Sequence, residues 1–204
     1  MSIIRPFKGI RPRADLASAI AALPYDVYNS EEAREIVAAE PKSFLQIDRA
    51  ETLLPKGTNP YSEAVYKTAS ETLNRMIDEG SFLQDKEPCY YLYALTMNGR
   101  TQTGLVGCAS IDDYCNNVIL KHQNTLEAKE QDRIRHIDAC SAQTGPIFLA
   151  YRADKKLGEI IKNVRLTPEV YDFTSDDGIR HEVWRIDKMS TIVDISKIFE
   201  AIPH

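Results

Sequence analysis

Asn98-Gly99 stands between two runs rich in β-branched and aromatic residues, Cys89 to Met97 and Arg100 to Ile111. A two-residue loop whose twist matches the strands it joins needs positive φ at both positions, and Asn-Gly is the pair that adopts this most readily. The stretch therefore predicts an antiparallel hairpin, 89–97 against 100–111. An isolated two-stranded ribbon is marginal in water, so the rest of the chain must add strands or cover one face of it. A second hairpin is predicted where 170–173 and 181–186 flank Asp176-Asp177-Gly178.

Helical signals are scattered among these hairpins. Ala14 to Leu23 is alanine-rich and stops at Pro24-Tyr25-Asp26-Val27, because the residue before a proline avoids the helical region. Asn29, with Glu32 three residues on, has the form of a capping box for a helix reaching about Glu40. Asn59-Pro60 opens a long helix in which Ala64, Val65, Ala69, Leu73 and Ile77 recur at helical spacing, and Gly80 ends it. Lys155 to Val164 and a last segment capped by Ser190 or Thr191 are two more. Three short apolar runs, 43–47, 118–120 and 147–151, read as strands. Hairpins mixed with helices, without regular β-α alternation, predict an α+β fold. It would be a single domain over 1–204, with a mixed or antiparallel sheet and flanking helices.

Composition narrows the partners. Of 204 residues 43% are hydrophobic and 27% charged, which suits an ordinary soluble core. The net charge of −5 argues against nucleic acid as a partner. Locally, residues 1–13 carry Arg5, Lys8, Arg11 and Arg13 and no acid. The longest apolar run falls short of the roughly 18 residues of a membrane span. Met1-Ser2-Ile3-Ile4-Arg5 lacks the pattern of a signal peptide, so a cytoplasmic protein is expected. The four cysteines form no CxxC pair and read as reduced thiols. Walker and GxGxxG loops are lacking, which excludes the common nucleotide-binding motifs.

The densest chemistry lies from Lys121 to His136. Asn124 with Glu127 suggests a helix starting between 124 and 127, burying Leu126, Ile134 and Ile137. Thr125, Lys129, Asp132, Arg133 and His136 fall within an arc of roughly 100° beside that apolar side. On this reading Thr125, Lys129, Arg133 and His136 line one pocket, with His122 at its mouth, and bind phosphate or another small ligand. Cations, a hydroxyl, imidazoles and free N–H groups at the helix start all favour an anion. The plainer reading is a salt-bridged helix edge. His122, His136 and Asp132 lack metal-ligand spacing, so no metal is expected there. Asp26 is the candidate catalytic carboxylate, against a turn in which it bonds its own backbone. Arg5 and Arg11, stiffened by Pro6 and Pro12, are further candidates for gripping an anion.

Several segments together resemble one family. They are Arg5-Pro6-Phe7-Lys8-Gly9-Ile10-Arg11-Pro12, Pro24-Tyr25-Asp26-Val27, Ser43-Phe44-Leu45, Glu79-Gly80, Asp112-Asp113-Tyr114, and Lys121-His122 with Thr125, Lys129-Glu130 and Asp132-Arg133. Gly145-Pro146 and Asp177-Gly178 with His181 and Trp184 complete the order. This is similar to the bacterial and archaeal family called domain of unknown function 1015, over the whole chain. The family pattern usually has a glutamate where Gln123 stands, and continues past this chain's last residues into an Asp-Gly-His-His-Arg motif. The resemblance thus implies an N-terminal half. More distantly it resembles the superfamily of ParB partition domains and sulfiredoxin, some of whose members bind nucleotides or phosphorylate free serine. What it implies is a nucleotide-dependent phosphotransferase acting on a small hydroxylated metabolite such as free serine, with ATP or ADP and Mg as cofactors. The alternative is a ParB-like regulatory module that binds a ligand or nucleic acid without catalysis.

Overall fold

In a computed structural model the described residues are 2–121 and 126–202. In chain order the elements are β1 (Ile4–Arg5), β2 (Ile10–Pro12), α1 (Ala17–Ile20), α2 (Ser30–Ala39), α3 (Leu45–Asp48), α4 (Glu63–Asp78), β3 (Phe82–Gln84), β4 (Tyr90–Met97), β5 (Arg100–Val106), β6 (Cys108–Ala109), α5 (Ile111–Cys115), α6 (Glu127–Cys140), α7 (Lys155–Val164), β7 (Tyr171–Thr174), β8 (Arg180–Ile186) and α8 (Met189–Ala201). The fold is mixed α+β with antiparallel sheets. Two compact units divide it. One holds 1–14, 84–123 and 149–204; the other holds 15–83 and 124–148.

The first unit is built on a four-stranded antiparallel sheet in the order β5-β4-β8-β7. Met97 pairs with Arg100 across Asn98 and Gly99, whose φ values are 51° and 76°. Both are in the left-handed region, as the predicted turn requires. The second hairpin pairs Thr174 with Arg180, and Gly178 supplies a φ of 81°. Alternation along β4 puts Tyr90, Leu92 and Ala94 on one face, fully buried, beside Trp184 and Ile186 of β8. Leu157 of α7 and Ile192, Ile195 and Phe199 of α8 complete that core. Each such side chain contributes about 1.5–3 kcal/mol of burial. The polar tips are satisfied: the Tyr90 hydroxyl bonds the Ile4 carbonyl at 3.0 Å, and Trp184 Nε1 donates to the Thr167 carbonyl at 3.0 Å.

The second unit is helical at its core. α4 buries Val65, Ala69, Leu73 and Met76 against Ile20, Ile47, Ala50, Phe82 and Cys140. α2 begins with the predicted capping box: Asn29 accepts from the Glu31 and Glu32 N–H groups, and Glu32 accepts from the Asn29 N–H.

The three short apolar runs are not strands. Residues 45–48 are helical, with Asp48 N donating to Phe44 O and Arg49 N to Leu45 O. Leu45, Gln46 and Ile47 are all buried, so the run lacks the one-sided exposure that alternation would give. At 117–119 the chain turns: Asn117 has φ 57°, and both Val118 N and Ile119 N donate to the Asp113 carbonyl. Residues 147–151 carry no regular structure, and Ile147 and Phe148 are exposed. A short apolar run fits a strand or a buried helical turn equally well, and its neighbours decide which.

Candidate functional site

α6 starts at Glu127, within the predicted interval, but it faces the other way from the sequence reading. Leu126 and Ile134 are exposed, at 70% and 43%, and Ile137 is half-buried, whereas His136 is buried at 2%. The polar arc is the buried one. What stabilises it is that its polar groups find partners in the second unit. The Tyr66 hydroxyl of α4 donates to Asp132 Oδ1 at 2.9 Å. Asp132 Oδ2 takes a two-pronged bond from Arg133, at 3.0 Å from Nε and 2.8 Å from Nη2. His136 Nε2 lies 3.1 Å from the Ile47 carbonyl, which can only accept, so that nitrogen carries the proton. Paired in this way, a charged arc can outcompete two isoleucines for the interior.

These side chains line a cleft of about 140 Å³ within the second unit. Tyr25, Asp48, Arg49, Glu51, Tyr61 and Tyr66 surround Asp132, Arg133 and His136. Arg49 fixes the wall: Nε bonds Glu51 at 2.8 Å, Nη2 bonds Ser30 at 2.9 Å, and Nη1 reaches the Tyr25 and Tyr28 carbonyls at 3.2 and 3.1 Å. This brings the Tyr25 ring under the Arg133 guanidinium, 4.1 Å from ring centre to the guanidinium carbon. Planar guanidinium on an aromatic face is a favourable stack.

Asp48 is the exceptional group. Its side chain is 14% exposed, and Oδ1 has no hydrogen-bond partner among the described residues. Arg133 Nη1 is 3.8 Å from that oxygen, too long for a hydrogen bond. Burial raises its pKa, and the opposing pull of His136, Arg133 and the Thr144 hydroxyl does not cancel the rise. Burial pushes Tyr66 up to about 12, with the Asp132 carboxylate adding to the effect. Burial likewise pushes the Cys140 thiol up to about 11, so its contact with His136 Nδ1 at 4.0 Å is made by a protonated thiol at ordinary pH.

The predicted site residues separate as follows. Arg133 and His136 share the cleft. Lys129 is on an exposed face of α6 and is not among the lining residues. His122, Thr125 and the expected cap Asn124 lie outside the described residues. Asp26 is exposed in the turn closed by Val27 N donating to Pro24 O. Arg5 and Arg11 belong to the first unit. Arg5 is exposed in β1. Arg11 is committed to Asp85, with Nε and Nη2 each 2.9 Å from a carboxylate oxygen, while Nη1 reaches the Tyr171 hydroxyl at 3.2 Å. Asp85 also accepts from Tyr91 at 2.5 Å and Arg185 at 3.0 Å. Burial would raise its pKa, but these donors more than offset that and hold it at about 2. Sequence reasoning missed Asp48, Tyr66 and Glu51. The helical spacing of Val65 and Ala69 gave a signal for Tyr66, whereas reading 43–47 as a strand concealed Asp48.

The cleft does not match the two groups that the resemblance implies, a divalent metal and a nucleotide. Among the described residues no three His, Cys, Asp or Glu side chains could hold a metal ion together. Asp48 and Asp132 share the cleft, but the Arg133 guanidinium already holds Asp132 Oδ2 through two bonds and lies 3.8 Å from Asp48. A nucleotide needs several hundred Å³, so about 140 Å³ admits only a small molecule. No helix among the described residues is long and apolar enough to cross a membrane.

Comparison with known proteins gives one match. A family model described as "Protein of unknown function (DUF1015)" matches residues 4–204. Neither the curated proteins nor the solved structures contain a match.

Proposed function

From a chain that belongs to the DUF1015 family, we propose a cytoplasmic phosphotransferase domain whose second-unit cleft receives the phosphoryl acceptor, a small hydroxylated metabolite. The observation that carries this reading is Asp48, a half-sequestered carboxylate with one oxygen unpartnered among the described residues, beside a stacked guanidinium. A buried acceptor atom left unbonded costs about 1–3 kcal/mol, and a ligand hydroxyl relieves that cost. Asp48, rather than the exposed Asp26, is then the base. It takes the hydroxyl proton as the acceptor oxygen bonds to the phosphorus of the transferring phosphoryl group, the bond from that phosphorus to the donor breaks, and the remainder of the donor leaves with the bonding electrons. Its raised pKa suits the role, since a base is most effective when its pKa approaches the working pH. Arg133 is the cation nearest the developing charge. A ParB-like relationship, expected from the sequence, would agree with this reading only by analogy of fold, which does not fix function.

The test is transfer of labelled γ-phosphate from ATP to a panel of free hydroxy-amino acids and small polyols. Transfer to one of them, reduced about 10²–10⁴-fold in Asp48→Asn, is the expected result. A second reading has an observation of its own. Arg133 is already fully forked onto Asp132, as in a module that binds without reacting. Absence of transfer to every acceptor, together with salt-sensitive retention of short duplex DNA, would favour that module.

A further inference from the structure

We propose that the ligand of the Asp48 cleft carries an ammonium group, so that the acceptor class is a small amine rather than a neutral polyol. The inference starts from the charges that line the cleft. Three carboxylates, Asp48, Glu51 and Asp132, meet two guanidiniums, Arg49 and Arg133. Arg49 is spent on Glu51 at 2.8 Å, and its other donors are spent on backbone carbonyls and Ser30. Arg133 is spent on Asp132 through two bonds. Asp48 is left with the Thr144 hydroxyl and a loose ion pair to Arg133 at 3.8 Å, and its buried Oδ1 has no hydrogen-bond partner among the described residues. His136 does not settle the account. Its Nε2–H is given to the Ile47 carbonyl, and Nδ1 faces Thr144 Oγ1 at 3.4 Å and Cys140 Sγ at 4.0 Å.

A buried carboxylate oxygen without a hydrogen bond, facing a small cleft with no nearer cation than Arg133 at 3.8 Å, calls for a small cationic donor. The remaining walls suit an alkylammonium. Tyr25 and Tyr66 are joined by Tyr61, which is 56% exposed, and aromatic faces attract cations. A divalent metal is the other candidate cation, but Arg133 already holds Asp132, and among the described residues no three ligand side chains gather around Asp48. The volume limits the head group to a few heavy atoms.

This inference rests on the reading of the cleft as an acceptor site, but its test does not require turnover. Ethanolamine and ethylene glycol have nearly the same size and differ in one group, ammonium against hydroxyl. Titration calorimetry of the whole chain with each is expected to show ethanolamine binding at least tenfold more tightly. The preference should be lost in Asp48→Asn. Ethanolamine binding to the unaltered protein should also release protons, read from runs in buffers of different ionisation enthalpy, which gives a measure independent of whether the variant folds. Equal affinities, no ethanolamine binding, or a preference that persists in a folded Asp48→Asn would overturn the amine inference. The phosphoryl-transfer assay on polyols would still decide the broader reading by itself.

Discussion

The Tyr66 hydroxyl donates to Asp132 Oδ1 at 2.9 Å, joining α4 to α6 across 66 positions of sequence. Through the other oxygen of that carboxylate it sets where Arg133 lies. Tyr66→Phe keeps the ring and removes only the donor. A loss of about 1–2 kcal/mol in urea unfolding is expected. Because the folded pKa of Tyr66 is raised, its contribution is complete below the unfolded value near 10. It fades as pH rises through about 12. A spectrophotometric titration in which Tyr66→Phe removes no late-ionising tyrosine would contradict this.

Asp85 is expected to dominate the acid stability of the first unit. Its folded pKa is depressed, so its contribution is present above the ordinary carboxylate value of 3.8 and disappears as pH falls through about 2. The amount is about 2 kcal/mol by linkage. Asp85→Ala should cost more, about 3–5 kcal/mol, because it strands Arg11 and Arg185 beside a buried tyrosine. The check is thermal unfolding between pH 2 and pH 6, where Asp85→Asn should flatten the curve.

Gly9 should tolerate no side chain. Its N–H donates to the Tyr91 hydroxyl at 3.2 Å, and a methyl group built there would overlap that same hydroxyl. Tyr91 cannot retreat without giving up Asp85. Gly9→Ala is therefore expected to destabilise by about 1–3 kcal/mol, the range for overpacking. Denaturant midpoints equal within error would show that the ring has room after all.

Asp48 should leave the opposite mark on a pH profile. With its folded pKa raised, its neutral form is the better-tolerated one, and its contribution to stability declines as pH climbs above 3.8 toward neutrality. A bound ammonium pairs with the ionised form and should reverse that slope. Melting temperatures of the Asp48→Asn variant should show neither trend.

The parts legible in the sequence were those set by local backbone chemistry. Asn98-Gly99 and Asp177-Gly178 mark turns that few other residues adopt, and the Asn29 and Glu32 side chains cap a helix within four residues of each other. α6 was legible in place but not in facing. Its arc of Asp132, Arg133 and His136 is buried because of Tyr66, Tyr25 and the Ile47 carbonyl, and all three lie at least 66 residues away. An amphipathicity argument assigns charges to water unless it knows their partners. Asp48 was hidden for a similar reason. The run before it is apolar on every side, so periodicity could not tell strand from helix, and its direction followed the wrong choice. Arg11 was read as a grip for an anionic ligand, and in the structure its guanidinium is committed to the chain's own Asp85.

The second unit is drawn from two separated stretches, 15–83 and 124–148, with 40 residues of the other unit between them. This has a consequence for biosynthesis. Asp48 and Tyr66 leave the ribosome long before Asp132, Arg133 and His136 exist to meet them. Until then the nascent second unit has α4 without α6, and Asp48 lacks Arg133 and His136 beside it. A chain arrested before residue 124 would already contain three of the cleft's tyrosines and have no cleft. The cleft is thus completed by the last stretch of its own unit to be made, and partial products of translation that stop before it lack the α6 part of its lining.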